Sequence, residues 1–276
     1  MSDTWDDVAP KPDLSVGPLG WVIAVVRGVP VILVLLVGLL LTALVRPFER
    51  LVAGEGRPVT PTITRAVCLS VLALMGLGLT VRGTPMRGPG AVVANHSSWL
   101  DIFALNAPKR IYFVSKAEVA DWPGISLLAK ATGTVFIRRD RREARGQVEV
   151  FRRRLALGHR LLFFPEGTST DSRRVLTFKT TLFAAFFDDA LRETMRVQPV
   201  SVVYHAPRGR DARFYGWWGD MDLGPHLLAV LGTFPQGRVE LTYHDPVRVA
   251  DFANRKTLAA HCEAAVRGPV LESLAG

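Results

Sequence analysis

From Trp21 the chain turns strongly apolar, and Val29 to Val45 carries no charged residue. As a helix that run covers about 25 Å, and carrying it back past Arg27 spans a hydrocarbon core of roughly 30 Å. A second apolar run, Ala66 to Val81, is shorter and contains Gly76 and Gly78. It suits a buried core helix or an interfacial helix better than a full span. The pattern predicts a mobile polar tail over 1–18, then a membrane-attachment segment over 19–82 made of one span plus a second apolar helix. Beyond Val81 the periodicity changes. Strand-like runs occur at Ala91–Ala94, Ile111–Val114, Val135–Ile137, Leu161–Phe164, Val200–Tyr204 and Val239–Tyr243. Helical patterns separate several of them. The clearest aligns Ala144, Val148, Phe151 and Leu155, with Asp140 as N-cap and Gly158 as stop. Strands alternating with helices predict an α/β domain over 83–276, a mostly parallel sheet flanked by helices.

Composition narrows the class. The 276 residues are 49% hydrophobic with a formal charge of +9, too apolar for intrinsic disorder. Cys68 and Cys262 are the two cysteines, which excludes a disulfide scaffold. The positive charge calls for an anionic partner: nucleic acid, anionic lipid or a phosphorylated substrate. Its placement adds an orientation. Asp3, Asp6, Asp7 and Asp13 precede the first apolar run, and Arg46, Arg50, Arg57 and Arg65 follow it. The positive-inside rule then puts the tail outside and everything after Val45 in the cytoplasm. A cleaved signal peptide does not fit, because the run follows an acidic tail and lacks a small-x-small site.

Candidate chemistry gathers at strand ends, where open α/β sheets place their sites. Asn95-His96-Ser97-Ser98-Trp99-Leu100-Asp101 takes a buried strand into a polar turn and a helix expected to start at Ser98. Asp101 fits two roles: closing a capping box with Ser98, or fixing the tautomer of His96 so that its other nitrogen acts as a general base. Gly133 to Asp140 is a strand ending in arginines, of which Arg139 is placed to hold an anion through its guanidinium fork. The arginines of the following helix read as a solvated face near an anionic surface. Phe164-Pro165-Glu166-Gly167-Thr168 ends another strand, with an acid that is costly to bury unpaired. Lys116 follows a strand and adds positive potential or is a surface lysine. Pro199 stands at an expected strand start.

These four segments, in this order, resemble the glycerolipid acyltransferase family, the 1-acyl-sn-glycerol-3-phosphate acyltransferases among them. Asn95, His96 and Asp101 match its Asn-His-x4-Asp block; Gly133, Phe136, Ile137 and Arg139 its Gly-x-x-Phe-Ile-x-Arg block. Phe164 to Thr168 match Phe-Pro-Glu-Gly-Thr, and Pro199 the strand-start proline. The resemblance covers roughly Gly83 to Pro246. It implies that His96 is the base, Asp101 its partner, and Arg139, Glu166 and Gly167, with Thr168 beside them, part of the acceptor site. Lysophosphatidate enzymes often continue the third block with arginine, whereas here Ser169 follows, with Arg173 and Arg174 further on. Phe178-Lys179-Thr180-Thr181 also departs from the family's small residues after the lysine, although Lys179 can still hold an anion. Both variations resemble the lyso-ornithine-lipid O-acyltransferase branch, whose acceptor is an aminolipid without phosphate.

The expected reaction is transfer of a fatty acyl group from acyl carrier protein or coenzyme A to a lyso-lipid hydroxyl, without a covalent acyl-enzyme. It runs at the cytoplasmic face of a bacterial inner membrane, with no cofactor or metal and no nucleic acid partner; Ser97 and Ser98 serve as cap and turn. Phosphatidic acid synthesis is the alternative. A serine hydrolase lacks its Gly-x-Ser-x-Gly elbow here, and a basic membrane-tethered binding protein leaves the strand-end residues without a purpose. Trp217-Trp218 suit a membrane interface.

Overall fold

The computed structural model describes residues 5–6, 10–117, 125–137 and 144–275. Helices α1 (Pro18–Ala53) and α2 (Thr60–Met75) lead into β1 (Gly78–Gly83), β2 (Gly90–Ala94), α3 (Asp101–Asn106), β3 (Tyr112–Lys116), α4 (Ile125–Thr132) and β4 (Val135–Ile137). There follow α5 (Ala144–Ala156), β5 (Arg160–Phe163), a 3-10 helix over Thr180–Phe187, α6 (Asp189–Arg192) and β6 (Arg196–His205). The chain ends in α7 (Leu223–Gly232), β7 (Arg238–Tyr243), β8 (Val247–Arg248) and α8 (Arg255–Ala275). The strands form one sheet in the order β1-β7-β6-β2-β5-β3-β4, with β8 beside β6. Only the β6–β7 and β6–β8 pairings among the described residues are antiparallel. The predicted α/β class and mostly parallel sheet are what the chain adopts.

A strand in such a sheet is covered on both faces and therefore reads as an unbroken apolar run. Every residue of β2 is buried. Two cores result. One joins α1, α2, α3 and α7 to one face of the sheet, and the other packs α5, the 3-10 helix, α6 and α8 on the opposite face. The helix predicted around Ala144 ends at Gly158, whose φ of +78° is the left-handed conformation that glycine adopts without a Cβ clash. Asp140, its expected cap, lies outside the described residues.

Two expectations are corrected. The apolar run Ala66–Val81 is not one helix. Gly76 adopts φ +73° and stops α2, and the remaining residues form the edge strand β1 beside β7. The two parts of the run are similarly apolar in sequence, so hydropathy alone joined them, although β1 is a largely exposed edge strand, and the sheet begins at Gly78, ahead of the expected boundary at 83. Pro199 does not start a strand but lies inside β6, opposite Val93. Its missing N–H faces the gap where β8 ends its pairing at Val197 and β7 begins at Val200, while its carbonyl accepts from His244. A central strand tolerates proline at that one break in its ladder.

Among the described residues α1 is the one helix long and apolar enough to cross a membrane. Its outward face presents Leu19, Val22, Val26, Leu33, Leu40 and Phe48, each more than half exposed. Both of its ends are nevertheless tied to the domain. At the first, Gly20 meets Gly232 of α7 so closely that a Cβ on Gly232 would come 2.7 Å from the Gly20 carbonyl oxygen. Arg27 donates there to the carbonyls of Leu231 (3.1 Å) and Thr233 (2.7 Å). At the second, the buried Glu49 carboxylate accepts from the backbone N–H groups of Val59 and Thr60, capping α2 in place of a local side chain. Arg57 then donates to Ala131 in α4.

The tail follows the domain too: Pro12 is buried, Leu14 and Val16 pack on the core, and Lys11 pairs with Asp220. The described part of the tail therefore lies against the α/β domain. A Lys11→Cys, Asp220→Cys double variant should be bridged by a short flexible bis-maleimide in isolated membranes, seen as a mobility shift. Cys68 and Cys262 will not compete, since both thiols are buried and pushed up to about 12. Absence of the cross-link would show the tail elsewhere.

Candidate active site

The carboxyl end of β2 carries the polar turn. Asn95 fixes its start: its Oδ1 accepts from the Val202 N–H at 2.8 Å, and its Nδ2 donates to the Val202 carbonyl at 2.8 Å. Two neighbouring loops hold the next residues through backbone bonds, Thr170 N–H to the His96 carbonyl and Trp217 N–H to the Ser97 carbonyl. Regular helix begins at Asp101, later than the expected Ser98, because the turn is closed by a side chain. The buried Asp101 Oδ2 accepts from Ser97 N–H (2.8 Å), Ser98 N–H (3.1 Å) and His96 Nδ1 (2.7 Å). Its Oδ1 accepts from the Tyr204 hydroxyl at 2.7 Å. Both roles weighed for Asp101 are thus realised by one carboxylate, which caps the turn and holds the imidazole.

Four donors converging on two oxygens are the environment of an ionised carboxylate. An acceptor-only partner assigns the proton on His96 to Nδ1 and leaves Nε2 as the basic nitrogen. The ring lies flat on Phe164, with centroids 4.0 Å apart and planes 9° apart, and its side chain is 24% exposed. It is fixed in tautomer and plane, yet open to a reactant.

Glu166 supports this arrangement from behind. It is buried, its Oε1 accepts from His96 N–H (2.7 Å) and its Oε2 from Leu176 N–H (2.7 Å). Burial pushes its carboxyl up to about 8, helped by the charge of Asp101 and opposed by the two backbone donors. Gly167 takes φ +78°, turning the chain back so that its N–H reaches the Phe164 carbonyl. Thr168 follows at the rim, and Lys179 is drawn in by its N–H to the Pro165 carbonyl. The structure thus brings His96, Asp101, Glu166, Gly167, Thr168 and the backbone of Lys179 into one neighbourhood. Lys116 ends β3, paired with Ile137 of β4, but its side chain is outside the described set. Arg139 lies outside the described residues.

Residues missed in the sequence complete the site. Tyr204 is a strand aromatic that reads as core, and its hydroxyl use has no local signature. Trp217 and Trp218 belong here too: Trp218 is buried, and the pair lies against the catalytic turn, a correction to the interfacial placement.

An imidazole held at Nδ1 by a buried carboxylate has the geometry a general base needs. Comparison with known proteins narrows the class. The family model described as Acyltransferase matches residues 79–203. A protein of Rhodobacter capsulatus named lyso-ornithine lipid O-acyltransferase is 55% identical over 95% of this chain and 95% of its own. A 1-acyl-sn-glycerol-3-phosphate acyltransferase of Neisseria meningitidis is 36% identical over 51% of this chain and 54% of its own. The crystal structure of the 1-acyl-sn-glycerophosphate acyltransferase PlsC from Thermotoga maritima shares the fold, with a TM-score of 0.55 at 23% identity over 91% of this chain and 98% of that one. The chain belongs to the glycerolipid acyltransferase family, and it is a lyso-lipid acyltransferase.

Two measurements probe the site's construction. Tyr204→Phe should keep the fold and lower kcat about tenfold, a hydrogen bond to a charged group being worth about 1.5–3 kcal/mol; unchanged kcat would remove Tyr204 from the positioning of Asp101. A carboxyl raised on folding stabilises most fully below its unfolded value of 4.5, and that contribution is lost as pH rises through its folded value of about 8. The Tm of the parent protein should therefore fall across this window more than that of Glu166→Gln, and parallel Tm profiles would place the titration elsewhere.

Proposed function

We propose that this enzyme acylates the free hydroxyl of a lyso-aminolipid such as lyso-ornithine lipid, by direct transfer from a thioester. The observation that carries the mechanism is His96, held at Nδ1 by Asp101 with Nε2 free. Nε2 removes the proton from the acceptor hydroxyl as its oxygen bonds to the thioester carbonyl carbon. The tetrahedral oxyanion collapses, the carbon–sulfur bond breaks, and the imidazolium returns its proton to the departing thiolate. No acyl-enzyme forms, in keeping with Ser97 and Ser98 as turn residues: Ser97 Oγ faces Asn95 and Ser98 is buried. Charge stabilisation of the oxyanion is the largest contribution asked of such a site. Lys116, Arg139 and Lys179 are the cations proposed for the substrate side, with Glu166, Gly167 and Thr168 shaping its floor. The general-base assignment predicts that His96→Ala abolishes turnover while membrane association is kept; retained turnover would overturn it.

The aminolipid acceptor is supported by the name and 55% identity of the Rhodobacter capsulatus relative, and by Ser169 where lysophosphatidate enzymes often have arginine. The second reading, phosphatidic acid synthesis, draws on the Neisseria meningitidis relative. Acyl carrier protein or coenzyme A supplies the thioester; both are acidic and match the charge of +9. The reading places the domain at the cytoplasmic face of the inner membrane, with the outer face of α1 in the lipid. Lyso-ornithine lipid and lysophosphatidate offered separately with acyl thioester test the acceptor. Higher kcat/KM for lyso-ornithine lipid is the expected result, and preference for the phosphate would reverse it.

A further inference from the structure

Trp5 and Asp6 of the tail lie beside the proposed site. Trp5 donates its backbone N–H to Thr168 Oγ1 at 3.2 Å, one residue beyond Gly167. Its indole packs on Trp218, centroids 6.2 Å apart, and the Arg174 guanidinium lies 4.8 Å from its centre. Arg174 is itself held by the buried Asp171 carboxylate through bonds of 3.2 and 2.8 Å. Lys11 ties the tail down again, paired with Asp220 and 3.7 Å from Asp6. The loop beneath is shaped for this: Gly219 sits at φ +62°, and a Cβ there would come 2.5 Å from Asp6 Oδ1. The loops gripped by the tail are those that pin the turn of His96, through Thr170 and Trp217.

We propose that the tail is a built-in wall of the acceptor end of the site, and that Trp5 is a specificity-determining residue for the lyso-lipid head group. This deepens the acyltransferase reading above and rests on it. The wall offers an aromatic face, a guanidinium beside it, and the carboxylates of Asp6 and Asp220 near by. A head group carrying both an ammonium and a carboxylate finds complementary partners in that set, the ammonium beside the aspartates and the carboxylate on the guanidinium. A phosphate monoester also meets the guanidinium but carries no ammonium for the aspartates and brings a second negative charge toward them. The wall therefore selects for a zwitterionic head as well as restricting the mouth.

The test uses the full-length protein in mixed micelles, varying acceptor at saturating thioester and then thioester at saturating acceptor. An aromatic contact of this size corresponds to a rise in acceptor KM of about 2- to 12-fold in Trp5→Ala, with thioester KM and kcat within about twofold. Trp5→Phe should recover most of the loss, and the preference for lyso-ornithine lipid over lysophosphatidate should narrow in Trp5→Ala. Lys11→Ala, which loosens the tail and unpairs Asp6 and Asp220 but keeps Trp5, should move acceptor KM the same way and guards against a misfolded Trp5 variant. Unchanged acceptor KM in both alanine variants, equal rises in both KM values, or no recovery by phenylalanine would overturn the proposal. If the parent protein prefers lysophosphatidate, the acceptor reading falls, and Trp5 is then judged by acceptor KM on that substrate.

Discussion

One buried carboxylate organises the catalytic end of this molecule. Asp101 lies at the junction of a strand, a turn and a helix, and each has a polar group that burial would otherwise leave unpaired. It accepts from two backbone N–H groups of the turn, from the hydroxyl of a tyrosine on β6 and from the imidazole. A charge in that position is tolerable only because all four donors are present, and each donor is placed only because the charge is there. Packing does the rest. The two helical layers press β2 and β6 together, so the residues at their ends are positioned by the cores on both faces.

What the sequence made legible follows from this logic. His96, Asp101 and Glu166 stand next to their strands in the chain, so apolar runs followed by polar residues locate them. Tyr204 was hidden because its partner is 103 residues away, and a buried tyrosine on a strand looks like any core aromatic. Trp218 was hidden for a similar reason, since paired tryptophans suit a lipid boundary as well as a packed loop. The strand β1 was hidden because one glycine divides an apolar run whose two halves share composition but not conformation. Pro199 was placed at a strand end because a central strand ordinarily excludes it. Only the handover between β7 and β8, a feature of three strands together, removes the penalty.

The tail shows how far a charge count can carry topology. Its aspartates, weighed against the arginines after α1, describe a chain crossing once between two aqueous sides. Tertiary contacts add to it: a glycine crossing at Gly20 and Gly232, one arginine on two carbonyls at the end of α7, and the Lys11–Asp220 pair hold the tail against the domain. Asp6 then has a local use beside Lys11 and Gly219, where its sign matters to whatever enters the mouth.

Because α1 is fastened at both ends, it cannot tilt or slide without carrying the sheet with it. The exposed row from Leu19 to Phe48 and the imidazole of His96 therefore belong to one rigid frame. A lipid layer receiving that row would also set the height of the imidazole above the layer. A lyso-lipid diffusing sideways in the same layer brings its hydroxyl at a depth fixed by its own anchored chains. On the proposed reading, encounter between imidazole and hydroxyl then becomes a search in two dimensions with the third already set.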